Sequence, residues 1–227
     1  MSWKKLITFM LRLLSMLRIP PRTPPDAQEA PEEGAGTATP PAADVLPLAS
    51  SPKKSADATA VETFGPKLSD SSLRSQLSSL LHSASSLSTR SIDLIVVHCT
   101  DTRASTDYTL QRLTDDHRRR GFGRYPGYHF YIRRDGTLHL TRPLMMAGCH
   151  VKGHNAHSIG VAYEGGHNEP GLKPTYIDNR TPAQRRVLSL LLDELYRHFP
   201  DADIVGHHDL NPNKACPCFN VKAPANL

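Results

Sequence analysis

Leu94-Ile95-Val96-Val97-His98-Cys99 is the stretch on which the reading of this chain turns. Its four leading residues are all apolar and three are β-branched. The run is too short for a buried helix and lacks the polar alternation of a half-exposed strand, so it predicts a central strand covered on both faces. That strand ends in an imidazole, and the ends of central strands are where loops gather and sites are built. Cys99 alternates with His98 and points to the opposite face, the ordinary place of a small buried hydrophobe.

Downstream of this strand the punctuation is clear. Thr109 can cap a helix carrying Leu110, Leu113 and His117, which Gly121 ends after the basic run Arg118-Arg119-Arg120. Residues 128–132 and 137–140 read as a hairpin, because Asp135-Gly136 between them supplies the positive φ of a tight turn. Alternation along the first of these strands places His129 on the face opposite Tyr128. Residues 158–163 form a further strand. Thr181-Pro182-Ala183-Gln184 combines a capping box with proline at the first helical position, and Val187, Leu188, Leu191, Leu192, Leu195 and Phe199 follow as an apolar stripe. A short strand over 203–206 leads into His207-His208 and an irregular tail. Hairpin and crossover connections are mixed, which predicts an α/β fold: a single domain over residues 91–227 with a mixed central β-sheet flanked by helices.

Upstream the composition changes. The first 90 of 227 residues hold ten of the 19 prolines but only three of the 14 aromatics, Trp3, Phe9 and Phe64. Residues 20–90, rich in Pro, Ala and Ser, therefore read as a linker, with a marginal helix that docks on the domain where Leu73, Leu77, Leu80, Leu81, Ala84 and Leu87 fall at helical spacing. The expectation is a disordered N-terminal arm. Residues 1–19 are basic and amphipathic: Lys5, Thr8, Arg12 and Ser15 gather on one side of an apolar stretch. Residues 4–18 thus suit contact with a membrane surface. They also resemble an export signal, although the clean apolar run is short and no small-residue cleavage site follows. No segment reaches the eighteen uninterrupted apolar residues of a membrane span.

A net charge of +5 favours anionic partners without choosing among them. Nucleic acid is not expected, since the basic residues are not interleaved with aromatics and no recognition helix is evident. Four cysteines, Cys99, Cys149, Cys216 and Cys218, are too few and too unevenly spaced for a disulfide framework. Thiols or metal ligands remain. A catalytic zinc takes three protein ligands from His, Cys or carboxylate, and His98, His207 and Cys216 offer such a set, two of them at strand ends. Imidazole and thiolate suit zinc and disfavour magnesium or calcium. Were Cys218 to join them, the ion would be fully enclosed and structural.

Val96-Val97-His98-Cys99, Gly127-Tyr128-His129-Phe130 with Arg134-Asp135-Gly136, Lys152-Gly153-His154-Asn155-Ala156-His157-Ser158-Ile159-Gly160 and Lys214-Ala215-Cys216-Pro217 occur in an order that resembles the zinc-dependent N-acetylmuramoyl-L-alanine amidases. That family includes phage lysozyme-type amidases and peptidoglycan recognition proteins. The resemblance covers about residues 92 to 220. It implies a zinc ion (Zn²⁺) held by His98, His207 and Cys216, with Tyr128 flanking the zinc-bound water and Lys214 acting on the reacting carbonyl. His150, Lys152 and Asn155 fall in the segment that lines the substrate groove of such proteins. The implied substrate is peptidoglycan or its muropeptide fragments, cut between the lactyl group of N-acetylmuramic acid and L-alanine, by a protein expected to be a monomer. Relatives that bind peptidoglycan without cutting it tend to lack the cysteine ligand, which is present here. The loop from His207 to Cys216 is one residue longer than in the phage lysozyme type, and this bears on where Lys214 sits.

Overall fold

A computed structural model describes residues 62–87 and 90–223. The expectations for residues 1–61, the amphipathic segment 4–18 included, lie outside the described residues. Among the described residues, eight strands and four helices follow in the order β1 (Glu62–Phe64), α1 (Asp70–Leu87), β2 (Leu94–Cys99), β3 (Thr102–Arg103), α2 (Leu110–Arg119), β4 (Phe130–Ile132), β5 (Leu138–Leu140), β6 (Ser158–Tyr163), β7 (Gly166–His167), α3 (Pro182–His198), β8 (Asp203–Gly206) and α4 (His207–Leu210). Six strands form one mixed sheet in the order β1-β5-β4-β6-β2-β8, and β3 and β7 make a small second sheet. The β1–β5 and β5–β4 pairs are antiparallel, whereas β4–β6, β6–β2 and β2–β8 are parallel. The mixed sheet with flanking helices is thus as the sequence predicts.

Alternation along β2 divides the interior. Ile95, Val97 and Cys99 join Phe130, Ile132, Ile159, Val161 and Tyr163 in the main core, which α1 and α3 cover. Leu94 and Val96 face the other way, toward Val151 and Val205. On that second face Leu113 of α2 packs with Tyr108, Tyr131 and Ala162. The local signals behave as their chemistry requires. Thr109 Oγ1 accepts from Arg112 N at 3.2 Å, Gly121 has φ +79°, and Gly136 turns the hairpin at φ +89°. Thr181 and Gln184 close a reciprocal capping box at the head of α3.

Residues 62–87, placed in the linker by composition with a marginal helix docking on the domain, supply one strand of the sheet and one covering helix. Strand β1 pairs with β5, and Leu73, Leu77 and Leu81 of α1 are buried in the main core beside α3. The serines between them reduce intrinsic helicity, but four-residue spacing of leucines gives a stripe whose burial outweighs that weakness. The ordered domain therefore begins before residue 91. Residue 90 itself is a structural pivot: the Arg90 guanidinium donates to the carbonyls of Leu144, Met146 and Ser158, each at 2.6 Å, and to those of Ala156 and Asn155 at 3.0 and 3.2 Å.

Candidate metal centre

Parallel pairing of β2 with β8, Val97 opposite Gly206, brings the carboxyl ends of both strands to one edge. His98 and His207 therefore leave the sheet side by side, where open α/β sheets place their ligands. Their rings lie 4.7 Å apart. The tail after α4 curls back across this edge, anchored where Cys216 O accepts from His208 N at 2.8 Å. Gly206 permits the approach, because a Cβ there would stand 2.7 Å from Pro217 Cδ. Cys216 Sγ then lies 3.1 Å from the backbone N of Cys99 and 3.7 Å from His98 Nδ1. Among the described residues, His98, His207 and Cys216 are the one group whose ligand atoms lie within metal-sharing distance, all within 4.8 Å of one another.

This donor set fits zinc. Two imidazoles and a sulfur match its borderline-soft character, and three protein ligands is the number found in catalytic sites. Burial, reinforced by His207, pushes His98 well below the usual histidine range, and burial with Lys214 lowers His207, so both rings keep a lone pair to offer. The Cys216 thiol is pushed up by its hydrogen bond with the Cys99 sulfur and by burial. A cation binding there must displace its proton. Cys218 stands apart: its Sγ faces Gly166 O at 3.3 Å and Cys99 Sγ at 3.8 Å.

Tyr128 reaches the same edge, its ring 5.1 Å from His98 and 5.2 Å from His117. Burial pushes its hydroxyl far up, so it stays a proton-bearing donor. Alternation does not hold here, because regular pairing begins only at Phe130. Thr141 Oγ1 donates to Tyr128 O at 2.7 Å, and both Tyr128 and His129 end beside His150, at ring distances of 6.5 and 5.8 Å. His129 is thus not on the far face. It is fully buried, accepting from Gly160 N at 3.0 Å through Nδ1 while Nε2 pairs with Met146 O at 3.0 Å.

The residues expected to line a groove divide. Lys152 is exposed on its loop. Asn155 serves the loop itself: its Oδ1 accepts from the N–H groups of His150 and Val151 at 2.8 and 3.0 Å. The His150 ring turns inward, with Nδ1 3.0 Å from His98 Nε2. Lys214 is exposed, within electrostatic reach of His207. Sequence reasoning missed Arg90 and His117. His117 Nδ1 accepts from Gly127 N at 2.9 Å, and burial pushes the ring down to about 4.

The N-acetylmuramoyl-L-alanine amidase family matches residues 88–219, which span the whole of this centre. The chain belongs to that family. The endolysin of Klebsiella phage KP32 is 41% identical to this amidase over 128 residues, covering 56% of this chain and 82% of that protein. The endolysin of Escherichia phage T7 is 39% identical over 132 residues, covering 58% and 84%. Among solved structures, the N-acetylmuramoyl-L-alanine amidase LysCS from Clostridium intestinale URNW is 34% identical, with a TM-score of 0.49 over 58% of this chain and 78% of its own. The match begins after α1, so the first strand and helix of the fold lie outside it.

Proposed function

We propose that this amidase hydrolyses the amide between the lactyl carbonyl of N-acetylmuramic acid and the amino group of L-alanine, in peptidoglycan or its muropeptide fragments. The observation that carries the reading is the convergence of His98, His207 and Cys216 at the carboxyl edge of the sheet. Zinc, when bound by these three residues, supplies a Lewis acid for the scissile carbonyl and brings the pKa of a coordinated water to about 7. The chain's own groups do the remaining work. Tyr128, kept protonated by burial, donates its O–H to orient the reacting groups beside His98. Lys214, in the exposed loop that carries Cys216, offers its ammonium to the negative charge developing on the carbonyl oxygen. A preorganised donor at such a position contributes about 3 to 4 kcal/mol. Lys152, exposed on the loop that Asn155 braces, faces the anionic substrate, to which the charge of +5 is suited.

Full-length protein incubated with purified peptidoglycan tests the bond assignment by mass spectrometry of the released ends. Free stem peptides with an L-alanine amino terminus are expected. New reducing sugar ends would mark a glycosidase, and undigested but retained wall would mark a binding protein.

A further inference from the structure

Behind His98, on the side away from Cys216, the half-buried His150 and the buried Ser158 continue the line of the ring. His98 Nδ1 lies 3.7 Å from Cys216 Sγ, whereas its Nε2 lies 3.0 Å from His150 Nδ1. His150 Nε2 lies in turn 3.3 Å from Ser158 Oγ, and Ser158 is fully buried at the start of β6. The two imidazoles meet edge to face, with planes at 83° and centroids 5.0 Å apart.

The fold reserves this space. A Cβ at Gly148 would come within 2.3 Å of His150 Cδ2, and one at Gly160 within 2.7 Å of the same ring. Neither glycine has a positive φ, so room for the imidazole, and not backbone freedom, is what glycine provides there. Asn155 fixes the His150 backbone. Arg90 ties the carbonyls of Leu144 and Met146, ahead of His150 in the chain, to that of Ser158 after it.

We propose that His150 is a positioning residue for the metal ligand His98, accepting its Nε2–H while Ser158 holds His150 in place. This inference rests on the reading of His98 as a zinc ligand. An imidazole that gives Nδ1 to a cation carries its remaining proton on Nε2, and in a buried site that N–H requires an acceptor. His150 Nδ1 is that acceptor. His150 then keeps its own proton on Nε2, aimed at the Ser158 hydroxyl oxygen, so each nitrogen in the series has one role. Removing such a partner of a ligating histidine typically weakens metal binding 10- to 100-fold.

The test is zinc affinity, measured on the full chain by competition with a chromophoric chelator, for wild type, His150→Leu, His150→Gln and Ser158→Ala. Gln retains an acceptor for His98 and a donor for Ser158; Leu retains neither. The expected dissociation constants are raised 10- to 100-fold in His150→Leu and a few-fold in the other two. Equal affinities for Leu and Gln variants would overturn the inference. If His150→Leu does not fold, Ser158→Ala decides: a few-fold loss supports the series, and wild-type affinity refutes it. Wild type that binds no zinc would instead refute the metal reading itself, which keeps the two failures distinct.

Discussion

Replacing Leu77 by Ala tests whether the helix before the family match belongs to the working fold. Leu77 has 0% exposure and sits midway along α1, between Leu73 and Leu81, on the stripe that meets α3. Truncation to Ala at a site so completely enclosed costs about 3 to 5 kcal/mol, the lost transfer energy plus that of the cavity left behind. In a domain of about 150 residues each kcal/mol lowers Tm by about 2 to 4 °C, so calorimetry on the full chain should show a fall of about 6 to 20 °C. Ser78→Ala is the control, because Ser78 is exposed on the same helix. It should change stability by no more than about 0.5 kcal/mol. Equal Tm values for the two variants would refute the reasoning: α1 would be an accessory, and the domain would begin where the family match does.

Cys218→Ser should retain zinc binding and near-normal hydrolysis, since its sulfur faces Gly166 and Cys99; zinc loss as complete as in Cys216→Ser would make it a fourth ligand. Lys214→Ala should lower kcat about 100-fold or more while leaving zinc affinity nearly unchanged, as measured by steady-state kinetics beside chelator competition. Acid should destabilise the fold through its buried histidines: burial pushes His117 down to about 4 and His129 to about 3. Between those values and the unfolded value near 6.5 the unfolded chain binds more protons, so stability is full above about pH 6.5 and falls as pH drops toward 4. Urea midpoints across that range should show the decline, with a shallower slope in His117→Gln.

The parts legible in the sequence were those whose signal is local. The apolar run into His98, the Asp135-Gly136 turn and the Thr181 capping box each specify a backbone geometry within a few residues, and each forms as read. The three candidate ligands could be named because two stand at strand ends and because the order of the surrounding motifs resembles the amidase family. What escaped depends on distant partners. Nothing near Arg90 announces that its guanidinium collects carbonyls from residues 144–158. His150 and Asn155 carry groove-like chemistry, but only the folded loop shows one ring turned toward His98 and the other side chain spent on backbone N–H groups. The α1 leucines were visible as a docking pattern, but which helix they dock on, more than a hundred residues later, was not.

Metal stripping and reloading tests the central claim most directly. Full-length protein is freed of metal by a chelator, titrated with zinc, and assayed for release of stem peptide from peptidoglycan, with Cys216→Ser treated in parallel. The account predicts that wild type loses activity on stripping and regains it at one zinc per chain, while Cys216→Ser never does. Undiminished digestion by stripped wild type, or full recovery of Cys216→Ser with zinc, would contradict it.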